Sequence, residues 1–159
     1  MKFDIKKIDD KVTARLDKML DRSKTMRSFL NTQVYSTYKK KQINRWQTEG
    51  ASEGSQWYAL DPAYKKYKAE KYAKYPYSGT KMLIATGKLF QAVVGEGGEG
   101  AQFHRKVVTD TMLSIFIVKG SDFEYPQFVD DQRPFTIWSD ATIHEIKKMV
   151  SDYQNAAGI

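Results

Sequence analysis

Residues 57–94 read WYALDPAYKKYKAEKYAKYPYSGTKMLIATGKLFQAVV, and this stretch decides the fold because it holds the clearest helix start in the chain. Asp61 can accept hydrogen bonds from the first backbone N–H groups of a helix, and Pro62 suits the first helical position. A helix is therefore predicted over residues 63–74, ended by the YPYSG segment at 75–79. Because its side chains are mostly Tyr and Lys, we expect it at the surface, with lysine stems over half-buried tyrosine rings.

The second half of this stretch is divided at Thr86 and Gly87. Thr86 can cap a helix or close a turn through its hydroxyl group, and Gly87 accepts backbone angles that other residues avoid. A short apolar turn at 81–84 and a new element over 88–94 are predicted on either side. The Gly87-Lys88 pair lacks the upstream glycine and the following Ser or Thr of a P-loop, so we expect no nucleotide binding there.

Two amphipathic runs precede the stretch. Apolar residues recur every three or four positions over 3–20 and again over 26–46, as in helices with one apolar face. Gly and Pro are absent before Gly50, so the runs form either one bent helix or two helices with a tight joint. Both stripes are expected to pack within the chain; the alternative is a stripe that faces a neighbouring subunit. Residues 48–56, TEGASEGSQ, are predicted to form a loop.

Downstream of the stretch the pattern changes from helical to extended. Residues 102–109 and 112–119 are predicted to form a β-hairpin, because the second run is dense in β-branched and aromatic side chains. Residues 133–138 are predicted to return as a short extended segment, and Ser139 or Asp140 to cap a last helix. The fold class predicted is α+β, in a single domain over 1–159 with a helical arm at 1–47 and an α+β body at 57–155.

Composition sets limits on the function. The chain has 159 residues, no Cys and a net charge of +7, and its apolar runs are too short for a membrane helix. We therefore expect no disulfide, no thiolate catalysis, no membrane contact and synthesis in a cytoplasm. Residues 1–90 carry 20 Lys and Arg against 9 Asp and Glu, whereas the remainder carries 6 against 10. This asymmetry fits nucleic-acid binding, and it fits head-to-tail association of copies equally well.

Basic side chains form two candidate contact sets for DNA or an acidic partner. A solvated helix face is the simpler interpretation of both, although phosphate contacts need only Lys or Arg and no further motif. The sets comprise Lys39, Lys40, Lys41 and Arg45, and then Lys65, Lys66 and Lys68.

Few residues offer catalytic chemistry. Glu49 and Glu53 lie four apart and could serve as the paired carboxylates of a wall hydrolase, but a Gly-rich loop positions carboxylates poorly. His104 and His144 are far apart in sequence, and two separate histidines are poor evidence for a metal, so neither a metal nor a cofactor is expected.

The order of several short motifs resembles the phage virion-morphogenesis, or tail-completion, family, the Mu G-like neck proteins of tailed bacteriophages. The motifs are Trp57-x-x-Leu60 with Tyr64 and Lys68, Met82-Leu83-x-x-Thr86-Gly87-x-Leu89, a hairpin, Glu124-Tyr125, and Arg133-Pro134-Phe135 before a final helix. The resemblance covers about residues 29–150.

This resemblance implies a non-enzymatic structural protein of the virion, located at the head–tail junction and acting as a ring of several copies. Its partners would be copies of itself, other connector and tail proteins, and phage DNA in the channel. Arg133, Pro134 and Phe135 would turn the hairpin back toward the core. The residues that would fix the packing around the central helix are Trp57, Leu60, Tyr64, Thr86, Gly87 and Leu89. A nucleic-acid-binding module remains the alternative.

Overall fold

The N-terminal part of the chain is helical, as its amphipathic pattern predicts. The computed structural model describes residues 5–75, 83–84, 86–118, 120, 133 and 135–156. Helix α1 covers Ile5–Lys24, and a turn at Thr25 separates it from a second helical run. That run comprises α2 (Arg27–Phe29), a π-helical segment (Leu30–Val34) and α3 (Tyr35–Gln47). The structure thus contains two helical runs with a tight joint rather than one bent helix.

The helical run ends where the sequence supplies glycine. Glu49 and Gly50 both have left-handed backbone angles, with φ of 52° and 92°. A Cβ at Gly50 would lie 2.0 Å from the Ser55 carbonyl oxygen, so a side chain there would collide with backbone. The predicted loop follows and contains one short 3-10 turn, Ala51–Glu53.

Helix α4 (Pro62–Lys71) is capped as predicted and ends three residues earlier than expected. The Asp61 carboxylate accepts hydrogen bonds from the backbone N–H groups of Ala63 and Tyr64 at 2.9 and 3.1 Å. Tyr64 and Tyr67 are each 49% exposed, and Lys71 Nζ lies 5.1 Å from the centre of the Tyr67 ring. The half-exposed tyrosines confirm the surface placement of most of this helix, although the lysine contact with Tyr67 is made by the ammonium group of Lys71.

Helix α5 (Lys88–Val94) begins after Gly87, whose φ is 86°, and Thr86 Oγ1 accepts a hydrogen bond from the Lys88 N–H at 3.3 Å. A 3-10 segment, Glu99–Phe103, packs back on α5. The Gln91 side chain holds it there, because its Oε1 accepts from the Gly100 N–H at 2.9 Å.

A β-hairpin follows, with β1 (His104–Val108) paired to β2 (Leu113–Ile117). The Thr109 N–H donates to the Met112 carbonyl at 2.9 Å and closes the turn. Residues 135–139 form an irregular connection rather than a strand, and α6 (Asp140–Asn155) ends the described chain. The predicted α+β class is confirmed. Within the described residues, no helix is both long and apolar enough to cross a membrane. Pro134, Met82, the Glu124-Tyr125 motif and residues 76–79 lie outside the described residues.

Contacts divide the chain into two compact units, composed differently from the predicted arm and body. The first unit comprises residues 1–36, 107–113 and 140–159. Its core joins the second apolar stripe to α6, and the Phe29 and Tyr153 rings stack with centres 4.3 Å apart. The buried residues of this core are Met26, Phe29, Leu30 and Val34.

The apolar stripe of α1 corrects one prediction. Three of its described members face solvent: Val12 is 50%, Leu16 59% and Leu20 53% exposed, whereas Met19 is half-buried. We expected both N-terminal stripes to pack within the chain; the second is buried, whereas the first is buried only in part. The core of this unit is formed by the second stripe with α6 and the hairpin.

The second unit comprises residues 37–106 and 114–139. Its core combines Trp46 of α3, Trp57 of the segment before α4, Ile84, three residues of α5, and Phe135 of the irregular connection. The buried members are Trp46, Trp57, Ile84, Leu89, Ala92, Val93 and Phe135.

Candidate functional site

Trp46 contacts Trp57 and Phe135, two of the residues for which the sequence predicts a packing role. Its ring centre lies 5.3 Å from that of Trp57, 5.6 Å from that of Phe90 and 6.0 Å from that of Phe135. Leu89 belongs to the same buried cluster. The contacts with Trp57 and Phe90 are edge to face, and such contacts add to the free energy gained by burial. Residues far apart in sequence are therefore united in one core, which we call the tryptophan cluster (Trp46, Trp57, Phe90 and Phe135).

The other predicted packing residues are placed around this cluster. Leu60 packs against it while partly buried. Thr86 and Gly87 begin α5, which carries Leu89 into the cluster. Tyr64 does not reach the core, because it is half-exposed on α4 beside Tyr67.

Arg45 is buried, and this corrects its assignment to a DNA-contacting surface. The side chain is 0% exposed. Its Nη1 donates to the Phe135 carbonyl at 2.6 Å, Nη2 donates to the Ile137 carbonyl, and the guanidinium lies 5.2 Å from the centre of the Trp138 ring. Arg45 therefore donates hydrogen bonds to two backbone carbonyls of the irregular connection and is unavailable to a phosphate.

Two neighbouring side chains on the same face of α3 act with Arg45. Gln42 Nε2 donates to the Phe135 carbonyl at 3.2 Å. The Tyr38 hydroxyl donates to the Val93 carbonyl at 2.8 Å, and the Tyr38 ring contacts Trp138 edge to face. The sequence carried a signal for these residues, because positions 38, 42, 45 and 46 share one helix face with a core tryptophan. The polar members of that face were not recognised as buried.

Glu53 occupies a second buried polar position. It is 6% exposed, and its Oε2 accepts hydrogen bonds from the Ser139 N–H at 3.0 Å and from Ser139 Oγ at 2.7 Å. The carboxylate thus fixes the end of the irregular connection. This environment favours a structural role over the hydrolytic role weighed for Glu49 and Glu53, because a covered carboxylate cannot approach a polymer substrate.

Lys68 is also buried, at 2% exposure, which removes a second member of the predicted basic surface. Burial lowers the pKa of its ammonium group below the ordinary lysine value; the nearby charge of Glu49 raises that pKa, and the charge of Arg133 lowers it. Lys68, Glu49 and Arg133 therefore form a coupled charge cluster. The half-buried Arg133 belongs to this cluster, whereas its neighbour Phe135 belongs to the tryptophan cluster.

The remaining basic residues differ in accessibility. Lys39 pairs with Glu96, with its side chain only 23% exposed. Lys41 is half-buried, whereas Lys40, Lys65 and Lys66 are exposed. The exposed part of the predicted basic surface is therefore smaller than the sequence indicated.

The two histidines lie on different elements, His104 on β1 and His144 on α6. His104 Nδ1 lies 2.9 Å from the Ala92 carbonyl oxygen, which ties β1 to α5. His144 is exposed on α6. Over the described ranges, no group of three or more His, Cys, Asp or Glu side chains could hold a metal ion.

Comparison with protein-family models, with curated proteins and with solved structures gives no match to this chain.

Proposed function

We propose that this protein is a structural virion assembly protein of a tailed bacteriophage, a tail-completion or neck component that acts as a ring at the head–tail junction. One observation carries the proposal. The motif residues Trp57, Leu60, Leu89 and Phe135, on which the family resemblance depends, meet in or against one buried core. Proteins that share a fold are expected to share the residues that form its buried core.

The polar interior fits a structural role. Arg45, Glu53 and Lys68 are buried charged residues, and two of them hold the irregular connection through its backbone. Buried charges with fixed partners specify one arrangement of the chain, which an assembly component needs at a repeated interface. The proposed partners are copies of this chain, other connector and tail proteins, and DNA passing through the ring.

Cross-linking and mass spectrometry of purified phage particles test the proposal. We expect the chain in assembled particles, in several copies, with cross-links to itself and to connector or tail proteins. Its absence from assembled particles would overturn the proposal.

A nucleic-acid-binding module is the second candidate, favoured by the exposed Lys40, Lys65 and Lys66. Its test is DNA-binding anisotropy across a salt series, because phosphate contacts weaken steeply as salt rises. This candidate expects Lys65→Glu with Lys66→Glu to weaken binding more than Lys147→Glu, a control on the exposed part of α6. An absence of DNA binding at low salt removes this candidate.

A further inference from the structure

The exposed stripe of α1, defined by Val12, Leu16 and Leu20, lies outside both the tryptophan cluster and the charge cluster. The three residues are four apart, so they form one continuous apolar line on the helix. All three are at least half exposed. A line of aliphatic side chains of this kind is typical of a helix that packs on another helix.

The C-terminal end of α1 is anchored, so the stripe is held in a defined position within its unit. Arg22 Nη1 donates to the Tyr153 carbonyl on α6 at 3.0 Å, and its guanidinium lies 5.4 Å from the centre of the Tyr153 ring. Thr25 closes the joint after α1 through its N–H and Oγ1, which both donate to the Asp21 carbonyl.

The two flanks of the stripe carry opposite charge. In an α-helix, the residues just before and just after a stripe residue lie roughly 100° to either side of it. The preceding positions supply Lys11 and Arg15, which we call the basic flank. The following positions supply Asp17 and Asp21, which we call the acidic flank; Lys24 lies on the same side, with its Nζ 3.9 Å from Asp21 Oδ1. The four flank side chains are exposed.

This charge distribution selects both the partner and its direction. When two helices run parallel and face each other, the left flank of one meets the right flank of the other, whereas antiparallel helices bring like flanks together. Two parallel copies of α1 therefore place each basic flank against an acidic flank. Two antiparallel copies would place Lys11 and Arg15 near their equivalents, which is repulsive.

We infer that α1 docks on α1 of a second copy of this chain, in parallel and in register, with the stripes facing each other. The same pairing closes cyclically for more than two copies, because every basic flank then meets the acidic flank of the next copy. The inference deepens the proposed ring and rests on that proposed self-association, but it is tested on the purified full chain. Failure to find the chain in particles would leave the outcome of this test unchanged.

Engineered cysteines test the direction, because the chain contains no native Cys. Val12→Cys and Leu20→Cys are made separately, with Ala14→Cys as the control on the opposite face of α1, and each purified chain is mildly oxidised. A disulfide needs Cα atoms within about 7 Å, so parallel pairing predicts homodimers of the first two variants and none of the control. Cross-linking of Val12→Cys only to Leu20→Cys would overturn the parallel direction. An absence of cross-linking at both positions, or cross-linking of the control at the same rate, would overturn the docking itself.

Charge reversal tests the flanks. One variant combines Lys11→Glu and Arg15→Glu; the other combines Asp17→Lys and Asp21→Lys. We expect each alone to self-associate roughly tenfold more weakly at low salt by sedimentation, and an equal mixture to recover the association, with helix content unchanged by circular dichroism. Undiminished self-association of both variants would contradict the inference.

Discussion

The guanidinium of Arg45 donates through Nη1 to the backbone carbonyl of Phe135 at 2.6 Å, across 90 positions of sequence. This contact joins α3 to the irregular connection before α6. It also places a permanently charged group in an interior position, where its hydrogen bonds and its contact with the Trp138 ring offset the loss of hydration. The packing of the second unit therefore depends on a polar contact at the edge of its aromatic core.

Replacing Arg45 tests that dependence. Arg45→Met keeps much of the side-chain volume but removes the donors to the carbonyls of Phe135 and Ile137. We expect a loss of about 2–3 kcal/mol in the free energy of unfolding, measured in urea. Lys40→Met, an exposed change on the same helix, should cost less than about 0.5 kcal/mol. Equal effects of the two changes would show that the contact contributes little.

Glu53→Gln tests the link to Ser139. The amide can still accept through its oxygen, but it loses the charge that strengthens both hydrogen bonds, so we expect a loss of about 1 kcal/mol in urea unfolding. Glu70→Gln on the exposed part of α4 is the control. An unchanged stability of Glu53→Gln would contradict the assigned role.

Lys68 gives a pH-dependent prediction. Burial lowers the pKa of Lys68 in the folded chain, so in the window between that lowered pKa and the ordinary lysine pKa the unfolded chain binds more protons. The contribution of Lys68 to stability must then increase as pH rises through this window. Lys68→Met abolishes that contribution, so the stability of the parent relative to this variant should rise with pH in chemical unfolding.

The matched control for this pH series is Lys65→Met on the exposed face of α4. Both comparisons cancel the titration of the tyrosines, so the rise with pH is expected to be steeper for Lys68→Met than for this exposed position. Equal pH dependence of the two differences would contradict the buried position of Lys68.

Gly100 tests the packing of the 3-10 segment on α5. A Cβ at Gly100 would lie 2.1 Å from the Lys88 carbonyl oxygen, so Gly100→Ala must displace backbone. We expect a loss of about 2–3 kcal/mol by thermal or urea unfolding. Gly54→Ala adds a Cβ that meets nothing within 4 Å, and only its φ of 73° opposes the change, so about 1 kcal/mol is expected. A larger loss for Gly54→Ala would reverse the argument.

Local patterns predicted most elements of this fold. The Asp61-Pro62 cap, the Thr86-Gly87 helix start and the β-branched and aromatic run of β2 depend on neighbouring residues, and the structure forms each of them. The buried state of Arg45 and Lys68 depends instead on which distant segments cover them. Arg45 has one local sign of burial, because it shares a helix face with Trp46. Lys68 has the same basic character as the exposed Lys65, and no local pattern separates those two lysines.

Distant segments also decide why the stripe of α1 is exposed whereas the second stripe is buried. Both have the period of an amphipathic helix, and sequence alone gives no sign of which one the chain itself covers. The side chains that cover the second stripe come from α6 and the hairpin, more than 70 positions away.

Imaging of labelled particles tests the central claim most directly. A compact tag is fused to this chain, and electron micrographs of tagged particles are averaged against untagged ones. A virion assembly protein of the proposed kind predicts extra density in a ring at the head–tail junction. Particles that assemble normally without extra density at that junction would contradict the claim.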